Sequence, residues 1–153
     1  MKKWLYMLLL ALAAFLLPGK GTDVGELIPV ELVRLTAGDG TFVAAADTGD
    51  FGTGATLEEA MADLASSAPG KVFLETADYL ILPLEGNVTV SELLPLLRPS
   101  GRVCLGEGEM DLEAARAFLS VHEPAVTLYG LHAGEQGIET LTMNEGRGAL
   151  GTQ

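Results

Sequence analysis

Apolar and polar positions from Ile28 to Leu35 alternate once past Pro29, so Val30, Leu32 and Leu35 are expected to face a core. Gly38-Asp39-Gly40 supplies a tight turn into the apolar run Thr41 to Ala46, which predicts a β-hairpin. Asp47 to Ala55 carries Gly49, Gly52 and Gly54 and reads as a glycine-rich loop. Thr56 and Glu59 then have capping-box spacing, and Leu57, Ala60, Met61 and Leu64 recur at helical spacing. A helix therefore runs to about Ser66, and Ala68-Pro69-Gly70 stops it.

Lys71 to Glu75 and Tyr79 to Pro83 are short apolar runs, the second with the look of a buried central strand. Val90 to Leu97 predicts a helix that Pro95 shortens or kinks. Arg102 to Leu105 is a further strand, followed by a helix with Asp111 as N-cap and Leu112, Ala115, Phe118 and Leu119 on one face. Ala125 to Tyr129 reads as a last core strand. The order predicts an α/β fold: a mixed sheet with about three helices packed on it, in two or three layers. The α/β domain is placed at 22–130, with 131–153 a tail that either forms a β-hairpin packed on the domain or frays.

Ahead of this lies a different pattern. Lys2 and Lys3 precede fourteen residues, Trp4 to Leu17, that are apolar throughout, and Pro18-Gly19-Lys20-Gly21 breaks the run. A positive start, an apolar centre and a Pro/Gly exit make an export signal. As a helix the run spans roughly 21 Å at about 1.5 Å per residue, short of a bilayer core of about 30 Å. Residues 1–21 are accordingly read as a signal peptide, with an uncleaved signal anchor as the alternative, and the protein as exported and extracytoplasmic. No cysteine follows the run, which leaves out a lipoprotein-type anchor.

Charge sharpens the picture. The 153 residues carry a formal net charge of −12, and three of the nine basic residues lie within the first twenty positions. Beyond Lys20 six bases face 21 acids, a charge of −15. Such a field repels phosphate backbones and anionic headgroups, which disfavours nucleic acid and leaves membrane contact to an uncleaved N-terminal segment. A cationic partner, or solubility alone, accounts for it. A mean hydropathy of +0.33 with 48% apolar residues still provides for a core.

Candidate chemistry is sparse. Asp47-Thr48-Gly49 after an apolar strand matches the short motif that presents a catalytic carboxylate in aspartic proteases, a site that needs two carboxylates and hence a dimer. The plainer reading is a turn before a capped helix. Gly49, Gly52 and Gly54 before a helix are compatible with an anion or small-ligand cradle, yet Asp47 and Asp50 oppose an anion and no base lies in the loop. His122, His132 and Cys104 lack metal-ligand spacing, so neither a metal nor a cofactor is expected. Glu107, Glu109, Asp111 and Glu113 read as a solvated helix start. Cys104, the single cysteine, reads as a small hydrophobe in a strand.

Gly54-Ala55-Thr56-Leu57-Glu58-Glu59-Ala60, the strand pair within Val72 to Leu82, and the helix and strand from Leu93 to Leu105 together resemble the N-terminal domain of the spore germination receptor C-subunit lipoproteins. The resemblance spans about Val24 to Leu128 and rests on patterning. The family's lipobox cysteine has no counterpart after the apolar run, and its large C-terminal portion has none before Gln153. The resemblance implies a non-enzymatic module of a membrane-associated receptor complex, and it transfers no site residue. The expectation is thus an extracytoplasmic interaction or assembly module with a membrane or receptor protein as partner. The alternatives are a dimeric hydrolase using Asp47 and a small-anion or ligand binder at Gly49–Gly54.

Overall fold

The computed structural model describes residues 27–68, 71–85, 88–144 and 146–152. The export segment at 1–21 and the Pro69-Gly70 helix stop lie outside them.

Among the described residues, nine strands and four α-helices follow one another as β1 (Leu27–Pro29), β2 (Leu32–Gly38), β3 (Thr41–Ala46), β4 (Phe51–Gly54), α1 (Leu57–Ser67), β5 (Lys71–Phe73), β6 (Tyr79–Pro83), α2 (Val90–Leu93), β7 (Arg102–Gly106), α3 (Leu112–Leu119), α4 (Leu128–His132), β8 (Glu139–Asn144) and β9 (Arg147–Thr152). Seven strands form one sheet in the order β4-β3-β2-β6-β7-β8-β9, and β1 pairs with β5 in a small parallel sheet of two. Strands β2, β6, β7 and β8 run parallel, while β3 and β9 run against them. The fold is α/β with a mixed sheet, as the alternation of patterns predicts.

Side chains alternate across the sheet and build a core on each face. On one face Val33 and Leu35 of β2, Ala44 and Ala46 of β3, Leu80 and Leu82 of β6 and Val103 of β7 meet Leu57, Ala60, Met61 and Leu64 of α1, Leu93 of α2 and Leu128 of α4. On the other, Leu32, Tyr79, Ile81, Cys104 and Leu141 meet Ala115 and Leu119 of α3. The result is three layers: α1, α2 and α4, then the sheet, then α3. The central strand β6 is buried on both faces through Tyr79–Leu82, which explains its unbroken apolar run.

Helix α1 starts where the spacing places it. The Thr56 hydroxyl accepts from the Glu59 amide at 3.2 Å, and the Glu59 carboxylate accepts from the amides of Ala55 (2.9 Å) and Thr56 (3.3 Å). Both halves of the capping box are present.

Two local expectations, the Asp47–Ala55 loop and the Ala125–Tyr129 strand, are corrected, and the shortening of the helix before Pro95 is seen. Asp47–Ala55 is not all loop, because Phe51–Gly54 forms β4 against β3. Its glycines serve packing: a Cβ on Gly52 would fall within the backbone of Ala60 and Leu64, so α1 lies directly on the strand. Helix α2 closes at Leu93 and the chain turns on through Leu96, with Pro95 offering no amide to continue the ladder. The apolar run Ala125 to Tyr129 is not a strand. Val126 and Thr127 touch the edge of β7 through Val103 N–H to Val126 C=O (2.9 Å) and one bridge to Arg102, and the chain then coils into α4. Thr127 caps that helix, its hydroxyl accepting from the Gly130 amide at 3.0 Å. A short apolar run has no period of its own with which to separate the two outcomes.

Beyond α4, β8 adds to β7 in parallel and β9 returns beside it, burying Leu141 completely. Gly148 lets β9 approach the Phe118 ring, where a Cβ would clash.

Candidate functional site

Two grooves flank the β3–β4 end of the sheet, one on each face. The first arises because α3 packs chiefly against β2 and β9 and leaves β3 and β4 largely bare on its side. With Ala44 and Ala46 turned to the α1 face, Val43 and Ala45 point the other way. Gly52 is buried under α1, so its neighbours Phe51 and Thr53 share the bare face, opposite Ala45 and Val43 in the register. Phe51 is 62% exposed. The N-terminal turn of α3 forms the opposite wall with Leu112. The groove has a volume of about 600 Å³, and Asp47, Asp50, Asp111 and Glu113 also line it.

Each carboxylate has a distinct setting. Asp111 is the N-cap of α3, accepting from the amides of Glu113 (3.0 Å) and Ala114 (3.2 Å). Asp50 accepts from the Thr48 hydroxyl at 2.8 Å within the β3–β4 turn. Asp47 is nearly buried, with 9% of its side chain exposed; it accepts from the Glu31 amide at 3.3 Å and lies 3.5 Å from Arg116 Nε. Burial pushes its pKa up, against the opposing pull of backbone hydrogen bonds and Arg116. Arg116 in turn pairs with Glu31 at 2.7 Å, and that hydrogen bond raises its own pKa. Beside the groove, Arg34 of β2 donates to the Gly108 carbonyl; burial lowers its pKa and Glu109 partly restores it.

Asp47 therefore sits in a turn beside a guanidinium that also pairs with Glu31. Two amides of Gly49–Gly54 are committed: Gly49 N–H bonds Ala46 C=O at 3.1 Å, and Thr53 N–H bonds the Asp63 carboxylate of α1 at 2.8 Å. Among the described residues, no group of three or more His, Cys, Asp or Glu is placed to hold a metal ion. His122 stacks on Phe118, ring centroids 4.6 Å apart. Cys104 is buried in β7, and burial first, with Glu139 second, pushes its thiol up to about 12.

The second groove lies on the α1 face, at the carboxyl ends of the parallel strands. Phe42, Leu57, Pro95 and Leu96 wall it, and among the described residues Glu58 and Glu92 are the charged ones on its lining. Its volume is about 660 Å³.

Sequence patterning finds the turn at Asp47 and the cap at Asp111, but not the residues that make the first groove apolar. Its one local signal is Phe51, a lone aromatic among glycines and aspartates. No family model, curated protein or solved structure matches the chain.

Proposed function

We propose that this protein is a non-enzymatic interaction module working on the outer side of a membrane, and that its partner docks a basic, partly apolar segment on the bare face of β3 and β4. The observation that carries the reading is the strip formed by exposed Phe51 and half-buried Val43 and Ala45, faced by Leu112 and rimmed by Asp50, Asp111 and Glu113. An aromatic ring on an apolar floor is the anchor of a protein interface, and carboxylates around it select a cationic partner and steer its approach. The charge of −15 beyond Lys20 favours a partner of opposite sign over a second copy of this chain. The lysine-led N-terminal run supports export. The resemblance to the germination receptor C-subunit lipoproteins favours a membrane or receptor component, in spore germination or at sporulation membranes.

The test is co-purification from membranes of the source cells with wild type and with the double variant Phe51→Ser, Glu113→Lys. A membrane protein recovered with wild type and lost with the variant is expected. Recovery of the same proteins by both, or of none by either, contradicts the reading.

A further inference from the structure

We infer that the groove on the α1 face is a binding site for a small organic cation with an apolar body, separate from the protein-docking face on the other side of the sheet. Its position is where open α/β sheets hold ligands, outside the carboxyl ends of the strands: β2 ends at Gly38 one turn before Phe42, and β4 ends at Gly54 next to Ala55. Its volume of about 660 Å³ is that of a small-molecule pocket. The walls are apolar, with Leu57 buried beneath and Phe42 and Leu96 half-buried at the sides.

The sign of the ligand follows from the charges. A helix N-terminus at a groove ordinarily attracts an anion. Here the capping box takes the Ala55 and Thr56 amides with the Glu59 carboxylate and the Glu59 amide with the Thr56 hydroxyl. Glu58 and Glu92 add two carboxylates to the lining, and among the described residues no arginine, lysine or histidine is on it. An anion entering this groove meets like charge, whereas an ammonium group finds two carboxylates while its carbon chain lies against Phe42, Leu57 and Leu96.

The experiment titrates isotope-labelled protein with n-octylammonium chloride and, in parallel, with sodium octanoate, following backbone amide resonances. The ammonium is expected to shift Ala55, Leu57 and Leu96 saturably, and octanoate to leave them in place. In the double variant Glu58→Gln, Glu92→Gln, whose fold is checked by its amide spectrum, the ammonium affinity falls about fivefold, as removal of two solvent-facing ion pairs requires. Equal binding of octanoate, unchanged affinity in the double variant, or no shift at these amides by about 10 mM ligand overturns the inference. Phe51→Ser, which tests the docking face, leaves this titration unchanged, so the two readings fail independently.

Discussion

Arg116 Nε lies 3.5 Å from the Asp47 carboxylate while its Nη1 lies 2.7 Å from Glu31 Oε2, so one guanidinium on α3 ties down both the residue that enters β2 and the turn that leaves β3. This tie sets the near wall of the bare face. Burial raises the Asp47 pKa above the ordinary 3.8, and Arg116 works against the rise. Replacing Arg116→Met is expected to move the Asp47 titration, followed by carboxyl carbon resonance, further up. An unmoved midpoint contradicts the pairing.

The same group has a consequence for stability. With the native pKa above the unfolded one, the native state holds more protons between the two values, so this group's contribution to stability is full below 3.8 and is lost as pH rises through the native value. Asp47→Asn removes that decline. Urea unfolding of the two proteins across the acid range checks it: the wild-type curve carries the extra fall and the variant does not.

Gly52→Ala is expected to destabilise by about 3 kcal/mol, because the added methyl falls on the α1 backbone at Ala60 and Leu64, which cannot rotate aside. Gly49→Ala adds a methyl in open space and costs only the strain of its φ of +89°. Chemical denaturation midpoints separate the two, and similar losses at both sites would show that α1 does not rest on β4.

Much of this fold is legible in the chain because its signals are local. Thr56 and Glu59 reach each other across one helical turn, so their spacing alone locates α1, and the four apolar positions that follow are the four buried ones. β6 is legible because both its faces are covered. What the chain conceals depends on remote contacts. Gly52 and Gly54 look like loop residues until α1 is seen lying on them, and Val126 looks like strand until Thr127 is seen capping α4. The bare face could not be read at all, since it depends on α3 stopping short of β3 and β4.

Capping energetics follow directly. Thr56→Ala removes the acceptor for the Glu59 amide and is expected to cost about 1 kcal/mol. Thermal unfolding measures it, and an unchanged midpoint would show that the box contributes nothing.

Cys104 is completely buried, and its thiol is pushed up to about 12. At neutral pH and saturating reagent, its reaction with a disulfide reagent is expected to be limited by global unfolding, so that rate and denaturant dependence follow the unfolding rate. Prompt labelling of the native protein contradicts this burial.

The proposed docking face is tested most directly by a photo-crosslinking amino acid placed at position 51, with one at the comparably exposed Tyr129 as control, in the source cell. A partner adduct is expected from position 51 that disappears with Glu113→Lys and does not form from position 129. Adducts of equal yield from both positions, an adduct from position 51 confined to the chain itself, or no adduct there contradicts the account.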